Sequence, residues 1–171
     1  MIKKIITILL IHLSFTQGLC VCPVNEIVQL STLEKQIKEQ LNPVADKILF
    51  NKTPSGFVIS IKDNLIFDEN NCITNAGKEI LETLAQTIKT SGRRWLILSH
   101  TENGKDQLER LYKTSINANL ISAFLIEKEN CLINQIFPIG FGAIMPNKFV
   151  TTNFQEMHER TDFIVEDFSL N

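Results

Sequence analysis

Strand-type and helix-type hydrophobic patterns alternate along most of the chain, and this order constrains the fold more than any other feature. The β-branched and aromatic run at residues 57–61 predicts a strand, and the helical spacing that follows ends at Gly92. Strand, helix, strand, helix, strand and strand together predict a two-layer α/β sandwich. The predicted elements are strand 57–61, a helix capped by Asn75, strand 95–98, helix 106–128 with Leu108 on its apolar stripe, segment 136–142 and strand 163–165.

The charge balance narrows the classes of partner. The 171 residues include 17 Lys and Arg against 19 Asp and Glu, for a net charge of −2. A chain without a basic excess has no means of neutralising a phosphate backbone, so nucleic acid is not an expected partner. The length favours one domain with extensions, and the hydrophobic content of 44% supports a packed core.

The first residues have the layout of a secretory signal peptide. A basic start at Lys3-Lys4 precedes an apolar stretch from Ile5 to Phe15, and Thr16-Gln17-Gly18 offers small residues for cleavage. A retained membrane anchor is the alternative, but a spanning helix needs about 20 apolar residues. We therefore expect residues 1–18 to be a signal peptide and the chain to be exported to the periplasm.

Two cysteines follow this stretch, at the position where a lipoprotein carries its acylated cysteine. Leu19 precedes Cys20 and Val21 precedes Cys22, whereas Gly, Ala or Ser usually precedes a lipidated cysteine. Cleavage after Gly18 and attachment to the outer membrane through Cys20 or Cys22 both remain open. The cysteine spacing predicts no zinc site.

Residues 26–50 have apolar side chains at three- and four-residue steps, which predicts an amphipathic helix interrupted at Asn42-Pro43. This helix could pack on the following domain or bind a partner. The loop-type composition of residues 51–56 predicts a boundary. The expected organisation is a signal peptide at 1–18, a helical segment and linker at 19–55, and a domain at 56–168.

The sequence contains no set of residues that indicates catalysis. The histidines are His12, His100 and His158, and neither a Gly-x-Ser-x-Gly motif nor a glycine-rich phosphate loop is present. Ser99-His100-Thr101-Glu102 has acid-base groups but no nucleophile with an oriented base. We expect a non-catalytic protein with no cofactor and no metal site.

Several segments in the same order resemble the OmpA-like peptidoglycan-binding domain over residues 57–168. They correspond to the family's first strand end and first helix, its Gly-His-Thr-Asp strand end, its Gly-Tyr-Gly…Pro turn and its closing Arg-Arg-Thr-Glu-Phe strand. The segments are Leu65–Asn70 with Ile73 and Gly77, Trp95–Glu102, Gly140–Gly142 with Pro146-Asn147, and Arg160–Val165. His100 stands where the family has its histidine, and we expect it to have a hydrogen-bonded structural role.

The resemblance implies non-covalent binding of the peptidoglycan stem peptide through the zwitterionic diaminopimelate side chain. Such a ligand needs an acid for its ammonium and a cation for its carboxylate. The retained contacts that the resemblance implies are Asp68, Asn70, Thr101 and Glu102.

Asn117 stands where the family has its arginine, so the cation is missing at that position. Lys113 lies on the same helix face and Arg110 one turn earlier, and either could replace the cation or simply face solvent. The expected function is attachment to peptidoglycan in the cell envelope. The alternative is an accessory subunit of an envelope assembly, such as a type IV secretion core complex, that keeps the fold but has weakened or lost the binding.

Overall fold

A five-stranded sheet, with strand order β1-β2-β5-β3-β4, organises the structure. The computed structural model describes residues 29–53, 56–144 and 158–166. The predicted signal peptide, Cys20, Cys22 and Pro146-Asn147 lie outside these residues. The strands are β1 Ile48–Thr53, β2 Gly56–Lys62, β3 Trp95–His100, β4 Ile136–Gly142 and β5 Arg160–Glu166.

Helices connect the strands and pack against one face of the sheet. Short 3-10 turns lie at Asn42–Lys47 and Ile133–Gln135, and a π-helical turn lies at Phe124–Lys128. The α-helices are α1 Leu30–Gln40, α2 Asp63–Ile66, α3 Asn75–Ser91 and α4 Gln107–Ala123. The order β2-α3-β3-α4-β4-β5 confirms the predicted two-layer α/β sandwich.

The strand register separates a main core from a smaller apolar face. β2 and β5 are antiparallel with Ile59 opposite Phe163, β5 and β3 are antiparallel with Phe163 opposite Ile97, and β3 and β4 are parallel. Because side chains alternate across a strand, these residues face the helices together. Trp95 belongs to the same cluster, as predicted, and Val58, Leu98 and Ile164 form a second cluster.

The helical interpretation of residues 26–50 is wrong at its C-terminal end. α1 ends at Gln40, a 3-10 turn containing Pro43 follows, and residues 48–53 form β1 rather than helix. Proline removes a backbone hydrogen-bond donor and so interrupts the helix. The β-branched and aromatic residues that follow the proline turn instead form a continuous ladder with β2.

The apolar face of α1 packs on the domain's own core. Leu33 and Ile37 are buried in the cluster that also contains Ile59 and Trp95. This confirms the packing alternative for the segment. The division of the chain at residue 55 stays a prediction, and it falls between two paired strands.

Two details of the other helices differ from expectation. Thr74 rather than Asn75 caps α3: its Oγ1 accepts a hydrogen bond from the Gly77 amide at 2.9 Å. Leu108 was expected on the core stripe of α4 but lies in the first turn of that helix and is 76% exposed. Gly92 ends α3 in the left-handed conformation (φ 65°), as predicted.

Candidate functional site

A cavity of ≈ 590 Å³ opens where the ends of β2 and β3, the start of β5 and the middle of α4 converge. It is the place where the antiparallel pairing of β5 with β2 and β3 brings distant parts of the chain together, since Lys62 pairs with Arg160 and Arg160 with His100. The residues lining it are Asp63, Asn64, Phe67, Asp68, Glu69, Asn71, Thr101, Asn103, Lys113, Ile116, Asn117 and Glu159.

Asp63, the first residue of α2, lies at the base of the cavity and is only 9% exposed. The Thr161 hydroxyl donates to its Oδ1 at 2.9 Å, and the Asn117 amide donates to its Oδ2 at 3.1 Å. Burial raises the pKa of Asp63 to about 7, although these two hydrogen bonds lower it, and the nearby charges of Glu159 and Asp162 raise it further. The carboxyl group is therefore oriented by neutral donors.

Glu159 supplies a second carboxylate beside Asp63. Its Oε1 accepts hydrogen bonds from the Thr101 hydroxyl at 3.2 Å and from the Asn103 side-chain amide. Its backbone carbonyl accepts from the Asp63 amide at 3.1 Å. The chain entering β5 is thus tied to the start of α2, and two carboxylates face one cavity.

Of the four predicted contact residues, Asp68 and Thr101 line this cavity, while Asn70 and Glu102 are not among its described lining residues. Asp68 Oδ1 accepts hydrogen bonds from the backbone amides of Asn70 at 2.9 Å and Cys72 at 2.8 Å. One of its oxygens therefore holds the loop after α2 in shape. The side chain of Asn70 is exposed on that loop.

Glu102 lies on the protein surface next to His158. Its Oε1 is 2.9 Å from His158 Nδ1, and both side chains are half-exposed. Thr101, by contrast, is buried and its Oγ1 accepts a hydrogen bond from the Asn103 amide at 3.1 Å. The two neighbours in sequence therefore have different surroundings, because consecutive residues of an extended chain point in opposite directions.

The residues considered as replacements for the family's arginine are also separated. Lys113 lines the cavity, with its Nζ 3.4 Å from the Asn103 carbonyl oxygen and 3.7 Å from Glu109 Oε1. Arg110 is not among the described lining residues, and its side chain packs beside Gly104 and Gly142. Asn117 also lines the cavity, and its side-chain amide donates a hydrogen bond to Asp63.

The hydrogen-bonded structural role expected of His100 stays a prediction, and the residue lies at the end of β3 beside a buried acid. It is buried, and its Nε2 lies 3.0 Å from Asp162 Oδ2, which Arg160 Nε also approaches. Burial raises the pKa of Asp162, but the His100 hydrogen bond and the Arg160 charge outweigh it and hold that pKa below its usual range. This charged group ties the ends of β3 and β5 together behind the cavity.

The charges that line the cavity are unbalanced. Its described lining includes the acids Asp63, Asp68, Glu69 and Glu159 and the single base Lys113. A more open depression of ≈ 550 Å³ runs along α1, but there the acids pair with lysines one turn away: Lys38 with Glu34 at 2.7 Å and Lys35 with Glu39 at 3.9 Å. Of these two cavities, the one beside Asp63 is therefore better suited to a cationic group.

Sequence reasoning missed Asp63, Asn103 and Glu159 as members of this site. Asp63 lies two residues after the predicted strand 57–61, and Glu159 directly precedes the predicted closing strand that begins at Arg160. These strand ends were visible in the sequence, but their adjacency depends on the pairing of β2 with β5.

Within residues 29–53, 56–144 and 158–166, no three His, Cys, Asp or Glu side chains are grouped so as to hold a metal ion. None of the helices described combines the length and apolarity of a bilayer-spanning helix. Cys72 is exposed and Cys131 is buried, and both are free thiols.

Solved structures of other proteins share this fold, although no family model and no curated protein matches the sequence. A MotB-like protein from Desulfovibrio vulgaris is 11% identical, with a TM-score of 0.65 over 80% of this chain and 93% of its own. The cell wall anchor of the T6SS from Pseudomonas aeruginosa is 11% identical, with a TM-score of 0.60 over 76% and 96%. The periplasmic domain of Helicobacter pylori MotB is 17% identical, with a TM-score of 0.55 over 70% and 81%. The OmpA-like fold expected from the sequence is confirmed.

Proposed function

We propose that this chain, which has the OmpA-like fold, is a non-catalytic cell-envelope protein that attaches to peptidoglycan by non-covalent binding of the diaminopimelate-containing stem peptide. The observation that carries the proposal is the acidic cavity at the meeting point of β2, β3, α4 and β5. A cavity of this size accepts a side chain, and carboxylates held by neutral donors are ready to receive an ammonium group. The similarity in fold to a protein described as a cell wall anchor supports the cell wall as the partner.

The contacts in this proposal are those the resemblance implies together with those that line the cavity. Asp63 and Glu159 would bind the ligand's ammonium, and Thr101, Asn103 and Asn117 would keep these carboxylates in position. Asp68 also lines the cavity and would contribute through the oxygen that the loop does not use. Asn70 and Glu102 would act at the rim, where a longer stem peptide extends beyond the cavity.

The proposed location is the periplasm, following export directed by residues 1–18. Attachment to the outer membrane through Cys20 or Cys22 is part of the proposal and concerns residues outside those described.

Co-sedimentation of the purified full chain with isolated sacculi tests this function. We expect the wild type to pellet and Glu159→Gln to lose about tenfold or more in affinity, because a charged hydrogen-bonding partner is worth about 1.5–3 kcal/mol. Glu127→Gln is the matched control: it makes the same chemical change on an exposed residue ten positions beyond Asn117, about 15 Å along the helix axis. Glu102→Gln measures the contribution of the rim.

A wild type that stays in the supernatant at low and moderate salt would contradict the proposal. The replacement of the family's arginine by Asn117 is the observation that favours the second candidate, an accessory subunit of an envelope assembly with weakened or lost peptidoglycan binding. In that case all four proteins would behave alike with sacculi.

A further inference from the structure

Among the described residues, the cavity has a well-defined position for a cation but none of comparable quality for an anion. Asp63 Oδ2, at the base of the cavity, receives its hydrogen bond from Asn117 Nδ2 at 3.1 Å, and Oδ1 receives one from the Thr161 hydroxyl at 2.9 Å. Both donors are neutral. Among the described residues, no Lys or Arg lies within 4.0 Å of the carboxylate oxygens of Asp63 or Glu159, so their negative charge is directed at whatever enters the cavity.

The one lysine in the described part of the lining is held near another acid. Lys113 Nζ lies 3.7 Å from Glu109 Oε1, on the outer side of α4, and 3.4 Å from the Asn103 carbonyl oxygen. Its side chain is about half-exposed, so water screens its charge. A ligand carboxylate would therefore meet a partly compensated cation and several carboxylates at short range.

We infer that the cavity selects a side chain with a primary ammonium whose neighbouring carboxyl group is amidated or absent, in preference to the free zwitterion. This inference rests on the proposed function and specifies its ligand. An amide removes the negative charge that the acids of the cavity repel. It also offers a donor to Asp68 or Glu159 and an acceptor to Asn117, so every polar group remains paired.

The preference depends on the residue at position 117, so a substitution there should reverse it. Asn117→Arg introduces a guanidinium next to Asp63, which can bind a carboxylate through two parallel hydrogen bonds. Asn119→Arg is the matched control. It adds the same charge to the same helix at an exposed position two residues away, where the Asn119 side chain donates a hydrogen bond to the Ser115 carbonyl.

The experiment is a calorimetric titration of the full chain at pH 8 with two synthetic stem peptides that differ only in amidation of the diaminopimelate side-chain carboxyl. We expect the wild type and Asn119→Arg to bind the amidated peptide about tenfold more tightly, a difference of about 1.4 kcal/mol. Asn117→Arg should bind the free carboxylate more tightly.

Equal affinities, or a wild-type preference for the free carboxylate that Lys113→Gln abolishes, would overturn the inference and leave the proposed function intact. If sacculi pellet the wild type but neither peptide binds, the inference is also overturned, because the cavity does not then recognise this side chain. Failure to bind both peptides and sacculi would instead contradict the proposed function itself.

Discussion

At the scale of single residues, the site depends on how one buried carboxyl is stabilised. Asp63 is enclosed by α4 and β5, and each of its oxygens accepts one hydrogen bond from a neutral group. Burial favours the protonated form, and the adjacent acids Glu159 and Asp162 add to this effect. Ionisation of Asp63 therefore costs free energy in the folded chain. A cationic ligand nevertheless requires the ionised carboxylate.

This conflict predicts a pH dependence of stability. The pKa of Asp63 is raised from 3.8 in the unfolded chain to about 7, so the folded state binds more protons between these values. The free energy of unfolding should therefore fall as the pH rises from about 4 to above 7, by at most about 4 kcal/mol from this group. Urea unfolding of the wild type and Asp63→Asn at several pH values measures this change in the free energy of unfolding.

Asp63→Asn removes the titrating group while its amide can keep the size and one acceptor of the carboxyl. The free energies of unfolding of the wild type and the variant should converge toward pH 4. Toward pH 8 the variant should become the more stable of the two. Parallel curves over this range would mean that Asp63 is not the group responsible. Asp162 does not interfere, because its pKa is lowered and its contribution is lost only at more acidic pH.

At the scale of elements, α1 and β1 belong to the packed core. Leu33 and Ile37 of α1 are almost fully buried, and β1 forms a continuous six-residue ladder with β2. The Thr87 hydroxyl of α3 also donates to the Gln40 side chain at 2.9 Å, which ties the end of α1 to the body of the protein. The segment therefore supports the sheet that positions Asp63.

Truncating the buried face of α1 should destabilise the whole chain. Leu33→Ala removes a fully buried side chain and should lower the free energy of unfolding by about 2–4 kcal/mol. Lys35→Ala, on the exposed face of the same helix, should change it by less than about 0.5 kcal/mol. Chemical denaturation of the three proteins provides the comparison, and equal stability would mean that α1 docks elsewhere.

At the scale of the whole molecule, chain order and sheet order differ, and this difference creates the site. β5, the last described strand, lies between β2 and β3. Residues 63, 101, 117 and 159 meet because the closing strand enters the centre of the sheet. The buried group of His100, Arg160 and Asp162 stabilises that insertion immediately behind the cavity.

The predicted division of the chain at residue 55 can be tested at this scale. A chain that begins at residue 56 lacks α1 and β1, exposes the edge of β2 and uncovers part of the main core. We expect it to unfold at a lower urea concentration than the full chain and to aggregate more readily, because unpaired edge strands associate. A fragment of unchanged stability would instead support an independent domain at 56–168.

The sequence by itself determined the order of the main elements and the class of the fold. Hydrophobic periodicity is a local property, so β2, α3, β3 and α4 could be recognised from residues close together in the chain. It also contained enough spaced motifs between Leu65 and Val165 to indicate the OmpA-like fold. The strand β1 was missed because its apolar residues continue the helical spacing of α1, and only its partner β2 selects the extended form.

Only the tertiary structure decided which polar residues share the cavity. Thr101 and Glu102 are consecutive in the sequence, yet one lines the cavity and the other lies at the surface beside His158. Asp63 and Glu159 are almost one hundred residues apart and are joined by a backbone hydrogen bond. Strand pairing is a long-range choice made by the whole sheet, so the neighbours of a strand end cannot be read from the residues around it.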